Sequence, residues 1–284
     1  MVLLLAVASS LSLGVADYLS GVALRNDGRA EGALTYTALA TALGAAIALL
    51  ALPVATPESF TARDGWWAAA AGCCLGVALP LLMLGMSRGP IAIVAPVLGL
   101  VSLAVPATFG PLLGDELSVL EVAGLLLAFP AAALVALSPT QRGSNRLPVP
   151  QALAIAIVSG AFLGGAAVCY GQTTAASGIG PGVVSQATAA ALLSAIARLS
   201  GRWLRPRRRG IKPAVGFGAL SGVATVLSVL AYQRGSVAVV AAVLGLAPGP
   251  TIVLARLLDH EEIARIQFGG FAVGIVAVAL FAFG

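Results

Sequence analysis

The chain has 284 residues, of which 59% are hydrophobic and only 10% are charged. Soluble globular domains carry roughly 25% charged residues, so this composition excludes a water-soluble enzyme and predicts an all-α integral membrane protein. The net charge of +5 does not indicate a nucleic-acid-binding protein, because seven of the sixteen basic residues lie between Arg198 and Lys212. Such a cluster is typical of a loop that contacts anionic lipids on one side of a bilayer.

Ten apolar segments are predicted to form transmembrane helices, because about 20 apolar residues are needed to cross a bilayer. Five lie in the first half, at residues 2–24, 33–52, 66–87, 90–113 and 118–137. Five more lie in the second half, at residues 151–172, 181–199, 213–233, 236–258 and 263–283. A loop rich in Pro, Gly and Ser separates them, which divides the chain into a first repeat (1–138), a linker (139–150) and a second repeat (151–284).

The two halves are also related in sequence. Shifting the chain by 146 residues aligns residues 88–100 with residues 234–246, and nine of these thirteen positions are identical. The same shift aligns the acidic pair at 115–116 with the pair at 261–262. Each half contains an odd number of predicted spans, so the second half is expected to lie upside down relative to the first. Two inverted five-helix repeats are a transporter architecture, with a site near the midplane where the halves meet.

The stretch GDELSVLEVAG at residues 114–124 resembles the Gly-Glu-Arg-Leu-Ser motif of the drug/metabolite transporter superfamily, and within it of the ten-helix EamA-type proteins. In the second half Glu261, Gln267 and Gly270 fall on the same motif, and Pro248 matches the family's proline thirteen positions before its Glu. The first half departs from the pattern, with Ser102 where that proline is expected. The resemblance implies a multi-pass carrier of the cell membrane that moves small metabolites, amino acids or drugs, in some members with proton coupling.

Asp17 is the first candidate for the solute or proton pathway. It lies only about 6 Å past the centre of the first predicted helix, at 1.5 Å of rise per residue. An ionisable residue at that depth costs about 2.5–3.5 kcal/mol to insert and is a functional candidate by default. In this interpretation Asp17 binds a proton that exchanges for a cationic substrate. The alternative is that the helix ends early and Asp17 lies near the headgroup boundary.

The other pathway candidates are polar side chains and a proline within apolar segments, namely Tyr18, Tyr36, Tyr170, Gln186 and Pro248. Tyrosine and glutamine bind a solute by hydrogen bonds, but they also hold helices together or anchor them at the interface. We interpret Tyr232 and Gln233 as anchors, because they lie beside Arg234 at a helix end. Pro248 removes a backbone hydrogen bond, so its segment either borders the substrate path or forms a packing kink.

The sequence offers no arrangement that points to catalysis or to a cofactor. His260 is the only histidine, and the three cysteines, Cys73, Cys74 and Cys169, lack metal-type spacing and are predicted to be buried small hydrophobes. The acidic pairs at 115–116 and 261–262 are expected to cap helix N-termini. We therefore expect no catalytic residue, no metal and no cofactor. The alternative to a carrier is a non-transporting membrane protein, such as a lipid-modifying enzyme or an assembly scaffold; the oligomeric state, a homodimer included, stays open.

The orientation in the membrane has two conflicting predictions. Counting loops by parity places nearly all basic residues on one side, with only Arg63 and Arg234 on the other. The positive-inside rule then places the crowded side in the cytoplasm and both termini outside. The resemblance implies instead that both termini are inside.

Overall fold

The computed structural model describes residues 1–112, 118–136, 147–259 and 265–283. The first half contains α1 (Val2–Asp27), α2 (Gly32–Leu50), α3 (Ala62–Arg88), α4 (Ile91–Leu112) and α5 (Val119–Ala136). The second half contains α6 (Val149–Gly171), α7 (Gly180–Leu199), α8 (Arg208–Tyr232), α9 (Val237–Leu244), α10 (Pro248–Asp259) and α11 (Arg265–Phe283). No strand occurs in these four ranges.

Eight helical segments, with α9 and α10 counted as one, are long and apolar enough to cross a membrane. Many large apolar side chains also lie exposed on the outside of the bundle, as lipid contact requires. The chain is therefore a helical, multi-pass membrane protein. The ten predicted apolar segments are helical where they are described, with the corrections that follow.

Two helices begin four or five residues earlier than predicted, and side-chain hydrogen bonds accompany each early start. α3 begins at Ala62 because Thr61 and Asp64 form a capping box, in which each side chain bonds the other residue's backbone N–H. α8 begins at Arg208, although Pro213 lies inside it. The proline leaves the Arg209 carbonyl without its helical partner, and the Asn26 side chain donates to that carbonyl at 3.3 Å.

The predicted ninth helix is broken into α9 and α10, with residues 245–247 between them in a turn. Pro248 and Pro250 have no N–H, so neither completes a backbone hydrogen bond to the turn before it. The Leu244 carbonyl instead accepts from the N–H of Ala247, three residues on, at 3.0 Å. The expected kink is therefore a full interruption of the helix.

The break is held against α1. The Thr251 hydroxyl donates to the Gly14 carbonyl of α1 at 2.8 Å, and the whole Thr251 side chain is buried. A β-carbon at Gly14 would collide with the Ala247 carbonyl, so only glycine lets the two backbones approach this closely. The interrupted segment is thus packed inside the bundle, where protein groups satisfy its backbone.

Most of the close helix packing joins the first half of the chain to the second. α1 packs along α8, and α6 packs along α3 and α4. α2 packs on both α7 and α8, while α7 packs on both α2 and α3. α5 packs against α11 at the side of the bundle. Buried alanines dominate these contacts, which is typical of close packing between transmembrane helices.

Where the structure describes them, helix ends that border loops of the same parity lie at the same end of the bundle. At the arginine-rich end, formed by the C-termini of α1, α3, α7 and α10 with the N-termini of α6 and α8, the N–H of Leu147 donates to the Arg88 carbonyl at 2.9 Å. At the opposite end the Asp64 carboxylate accepts from the N–H of Thr174 at 2.7 Å. The helices therefore run alternately up and down, as the parity count assumes.

Candidate functional site

A cavity of about 120 Å³ lies inside the bundle, between α1, α3, α4, α6, α7, α8 and the broken α9–α10 segment. Its lining residues come from the middle turns of most of these helices. Four of the six predicted pathway residues line it, and these are Asp17, Tyr170, Gln186 and Pro248. Polar side chains from α1, α6, α7 and α8 therefore meet in this cavity.

Among the residues that the structure describes, Asp17 is the only acid on the cavity wall. Its side chain is buried, and α1 continues for ten residues beyond it to Asp27, so the alternative in which the helix ends early is wrong. Within the described ranges its carboxyl makes no ion pair and accepts no hydrogen bond. A buried carboxylate is costly without a partner, so a charged Asp17 calls for a counter-charge that the neighbouring helices do not provide.

Gln186 is fully buried, and one hydrogen-bond acceptor of its side chain has no partner among the described residues. Its Nε2 donates to the Thr225 hydroxyl at 2.7 Å, and that hydroxyl donates in turn to the Ser221 carbonyl at 2.8 Å. These two hydrogen bonds determine that the NH₂ end of the Gln186 amide faces Thr225, because the Thr225 hydroxyl already donates its proton to the Ser221 carbonyl. The Oε1 of Gln186 accepts nothing from the described residues. An unsatisfied buried acceptor is unfavourable, so a ligand that donates a hydrogen bond here would be stabilised.

Two tyrosine rings close the part of the cavity nearest the opposite end. Tyr170 and Tyr232 stack with ring centroids 6.4 Å apart and an interplanar angle of 22°. The Tyr170 hydroxyl shares a 2.7 Å hydrogen bond with the Ser185 hydroxyl. The prediction that Tyr232 is an interfacial anchor is wrong, because its ring is buried against Tyr170 and lines the cavity.

Gln233, the neighbour of Tyr232, serves as a clamp at the opposite end. Its Nε2 donates to the hydroxyls of Thr173 and Ser177 and to the carbonyl of Gly178, at 3.3, 3.1 and 2.9 Å. These contacts tie the end of α8 to the segment between α6 and α7. Gln233 is therefore structural, and it does not reach the cavity.

Tyr18 and Tyr36, both predicted pathway residues, lie away from the cavity at the arginine-rich end. The Tyr18 hydroxyl donates to Asp259 at 3.0 Å, and Arg25 donates to the other oxygen of Asp259 at 2.7 Å. The Tyr36 hydroxyl donates to Asp27 at 3.0 Å. Tyr18 thus binds an acid that is distant in sequence, and Tyr36 binds an acid across a loop. Neither contact can be predicted from the pattern of the helix that carries the tyrosine.

Asp27 organises a second cluster at this end. Its fully buried carboxylate accepts two 2.9 Å hydrogen bonds from Arg29, and this pairing raises the pKa of the Arg29 guanidinium. The Arg207 side chain donates to the Asp27 carbonyl at 3.0 Å. The loop after α1 is therefore joined to the basic segment before α8, and the arginine-rich end is closed by directed polar contacts.

A row of hydroxyl groups on α8 was not predicted from the sequence. Ser221, Thr225 and Ser228 all line the cavity. Their spacing of four and then three residues places them on one face of a helix, and this spacing is the signal that would have found them.

The cysteines are free, and they differ in exposure: Cys73 is exposed, Cys74 is partly buried and Cys169 is buried. The expectation that all three are buried is therefore wrong for Cys73, whose side chain lies on the outside of α3. In the part of the chain that the structure describes, no group of three or more metal-binding side chains comes together. His260 and the acidic pairs at 115–116 and 261–262 lie outside the described residues.

No family model and no curated protein matches the sequence. The fold does match solved structures. One of them, a crystal structure of a protein, has a TM-score of 0.68 and 17% sequence identity, and the match covers 97% of this chain and 96% of that chain. At this identity the likeness concerns the fold alone. It extends over nearly the whole length of both chains.

Proposed function

We propose that the chain is a secondary carrier of the cell membrane, which moves a small organic solute through the central cavity by alternating access. The observation that carries the proposal is the cavity itself, with the unpaired carboxyl of Asp17 on its wall and the Gln186 side chain, whose buried Oε1 has no partner among the described residues, beside it. Buried polar groups without partners are expensive inside a membrane and are retained where a ligand or ion uses them. The resemblance to EamA-type transporters agrees with this proposal.

The proposal includes the arrangement of ten transmembrane helices as two inverted five-helix repeats. Under the 146-residue shift, α3 of the first half corresponds to α8 of the second, and α2 corresponds to α7. The helix contacts agree with this correspondence. α3 packs on α7, and their counterparts, α8 and α2, also pack on each other. α2 with α7, and α5 with α11, are then pairs of corresponding helices that pack on each other.

Individual backbone contacts support the same relation. Gly99 of α4 and Gly245 of the broken segment correspond under the shift, and a β-carbon at Gly99 would lie 2.9 Å from the Gly245 carbonyl oxygen. Corresponding residues touch each other only near an axis that relates the two halves. We therefore place that axis at this contact, beside the cavity wall formed by Ser102 and Pro248.

Alternating access requires one end of the cavity to open while the other closes. The arginine-rich end is held by the bonds from Tyr18 and Arg25 to Asp259, the last residue of α10. α10 is separated from α9 by the break at 245–247, so it can tilt without moving α9. Tyr18 directly follows Asp17, which links the state of the cavity to this closure through one helix.

We also propose that the arginine-rich end faces the cytoplasm. Arg25, Arg29 and Arg88 lie there together with the basic segment between Arg198 and Lys212, most of which is exposed and suited to anionic headgroups. Alkaline phosphatase fused within residues 200–207 is expected to be inactive, because it requires export. An active fusion at this position would support the opposite orientation, with both termini inside.

Flux measured in vesicles that contain the purified full chain tests the function. We expect at least one solute from a panel of amino acids, amines and drugs to cross, and Asp17→Asn to lower its flux by about tenfold, as loss of a charge-assisted hydrogen bond does. Glu31→Gln, which changes an exposed acid outside the cavity, is the matched control and is expected to leave flux unchanged. No flux across the whole panel would favour the scaffold or lipid-modifying alternative.

A further inference from the structure

The two halves give the cavity different side chains at corresponding positions. Three leucines of α3 face the cavity, and these are Leu75, Leu79 and Leu82. The 146-residue shift places them on three cavity-lining residues of α8, which are Ser221, Thr225 and Ser228. An apolar side chain in the first half is thus replaced by a hydroxyl in the second at every one of these three positions.

The first helices of the two halves differ in the same way. Ser9 of α1 donates to the Ala224 carbonyl of α8 at 2.9 Å, and Ser159 of α6 donates to the Ala78 carbonyl of α3 at 2.9 Å. Ala78 and Ala224 correspond under the 146-residue shift, so these contacts match α1 with α6 at a shift of 150. That shift carries Leu13, Ala16 and Asp17 onto Leu163, Ala166 and Ala167, all of which line the cavity.

The acid and the hydroxyls lie on one side because α1 packs along α8, whereas α6 packs along α3. We call the surface formed by Asp17, Ser221, Thr225 and Ser228 the polar wall, which Gln186 extends through its bond to Thr225. We call the surface formed by Leu75, Leu79, Leu82 and Ala167 the apolar wall. The cavity is therefore two-sided, although the backbones around it correspond.

We infer that the cavity binds a small amphipathic amine, with its ammonium group on the polar wall and its hydrocarbon part on the apolar wall. This inference rests on the proposed carrier function and names the solute class. The polar wall offers an acceptor that lacks a donor, since the Asp17 carboxyl accepts nothing from the described residues. The Oε1 of Gln186, which is itself buried beside this wall, also accepts nothing from them. An ammonium carries N–H donors and a positive charge, and no acceptor.

The same groups disfavour other solutes. No Lys, Arg or His side chain lines the cavity within the described residues, so a carboxylate or phosphate has no counter-charge there. A quaternary ammonium has the charge but no N–H group to donate to the Asp17 carboxyl. The volume of about 120 Å³ is of the order of the ~150 Å³ cavity that holds one benzene ring, so the solute is a small one.

Binding of radiolabelled benzylammonium to the purified full chain in detergent at neutral pH tests the inference. Unlabelled competitors separate the contributions: benzyltrimethylammonium lacks N–H groups, benzyl alcohol lacks the charge, and methylammonium lacks the ring. We expect benzylammonium to compete about tenfold better than each of these.

Variants of the two walls sharpen the test. Asp17→Asn is expected to weaken benzylammonium binding about tenfold and to leave benzyl alcohol unaffected, and Thr225→Val is expected to weaken it by about threefold to tenfold. Thr108→Val is the matched control, because Thr108 also bonds the carbonyl four residues before it but is outside the cavity. Leu79→Ser is expected to reduce the advantage of benzylammonium over methylammonium.

Equal competition by benzyl alcohol, or unchanged binding in both Asp17→Asn and Thr225→Val, would overturn the inference. Because binding is measured without flux, the two proposals fail separately. A chain that binds benzylammonium but moves no solute would contradict the carrier function alone. A chain that transports a solute without an amine and binds no benzylammonium would contradict this inference alone.

Discussion

α4 and the α9–α10 segment come from closely similar stretches of sequence, yet α4 is continuous and the other is broken. α4 contains three prolines, and the α9–α10 segment contains two. The prolines of α4, at positions 96, 106 and 111, are at least five residues apart, so no single turn of that helix loses two hydrogen bonds. Pro248 and Pro250 remove two bonds within a single turn, and the helix stops. The spacing of prolines, and not their number, decides which half contains the interruption.

The consequence is visible on the cavity wall. Ser102 and Pro248 are corresponding positions, and both line the cavity. Ser102 donates to the Gly99 carbonyl at 3.0 Å within an unbroken helix, whereas Pro248 begins a new helix. One half therefore lines the cavity with a continuous helix, while the other lines it with the break between α9 and α10, which is the joint that the proposed carrier would use. The comparison predicts that changes in the shared packing affect folding, and that changes in the joint affect transport.

The largest effect is expected where the halves are alike. A β-carbon at Gly72 of α3 would lie 2.5 Å from the Ser185 carbonyl oxygen of α7, and one at Gly218 of α8 would lie 2.8 Å from the Ala40 carbonyl oxygen of α2. Gly72→Leu and Gly218→Leu are expected to destabilise the fold by about 3 kcal/mol or more, because backbone cannot yield to the added carbons. Thermal unfolding in detergent measures the loss.

Gly269→Leu in α11 is the control for both variants, because a β-carbon there meets nothing within 4 Å. Its melting temperature is expected to stay close to that of the unchanged chain. If only one of Gly72→Leu and Gly218→Leu lowered the melting temperature, the correspondence between α3 and α8 would be contradicted.

A smaller effect is expected from removing the joint. Pro248→Ser gives the second half the residue of the first and restores a backbone N–H, which favours a continuous helix across 245–247. We expect flux to fall about tenfold while the melting temperature changes little, since the loss is one of motion and not of packing. Pro130→Ser changes an exposed proline of α5 and is expected to leave flux unchanged. Unchanged flux in Pro248→Ser would show that the break is only a packing feature.

The smallest effect is expected at the closure of the arginine-rich end. Arg25 and Asp259 are 30% and 32% exposed, and an ion pair this accessible contributes about 0.2–1 kcal/mol. Asp259→Asn is expected to speed labelling of a single cysteine at position 16 by a water-soluble thiol reagent, by no more than about fivefold. The measurement requires the three native cysteines to be replaced first. Slower labelling would contradict a closing role for this pair.

The sequence predicted the features that depend on short stretches of chain. Apolar length predicted the helices, the depth of Asp17 predicted a buried acid, and the proline at 248 predicted a distortion. The full break could also have been predicted, because residues 248–250 place two prolines, which lack a backbone N–H donor, in one turn. The hydroxyl row of α8 follows from helical spacing alone.

The features that the sequence did not predict depend on partners that are distant along the chain. The sequence indicates an interfacial anchor at Tyr232, but the Tyr232 ring stacks on Tyr170, which belongs to a helix two positions earlier in the chain. Tyr18 binds Asp259 from the other half of the chain. The early start of α8 depends on Asn26, 183 residues before the carbonyl that it satisfies. Helical periodicity indicates which face a residue occupies, but it does not indicate which helix covers that face.

Counterflow in vesicles separates a carrier from a channel and from a protein that transports nothing. Vesicles containing the purified full chain are loaded with unlabelled solute, beginning with benzylammonium and extending to the wider panel, and uptake of the labelled solute is followed. In an alternating-access carrier, internal solute binds the site on the inside and accompanies its return to the outside, which speeds the next round of uptake. Internal solute is therefore expected to accelerate uptake in the unchanged chain and to have little effect in Asp17→Asn. Uptake that is independent of internal solute would indicate a channel, and no uptake of any solute would contradict a transport function.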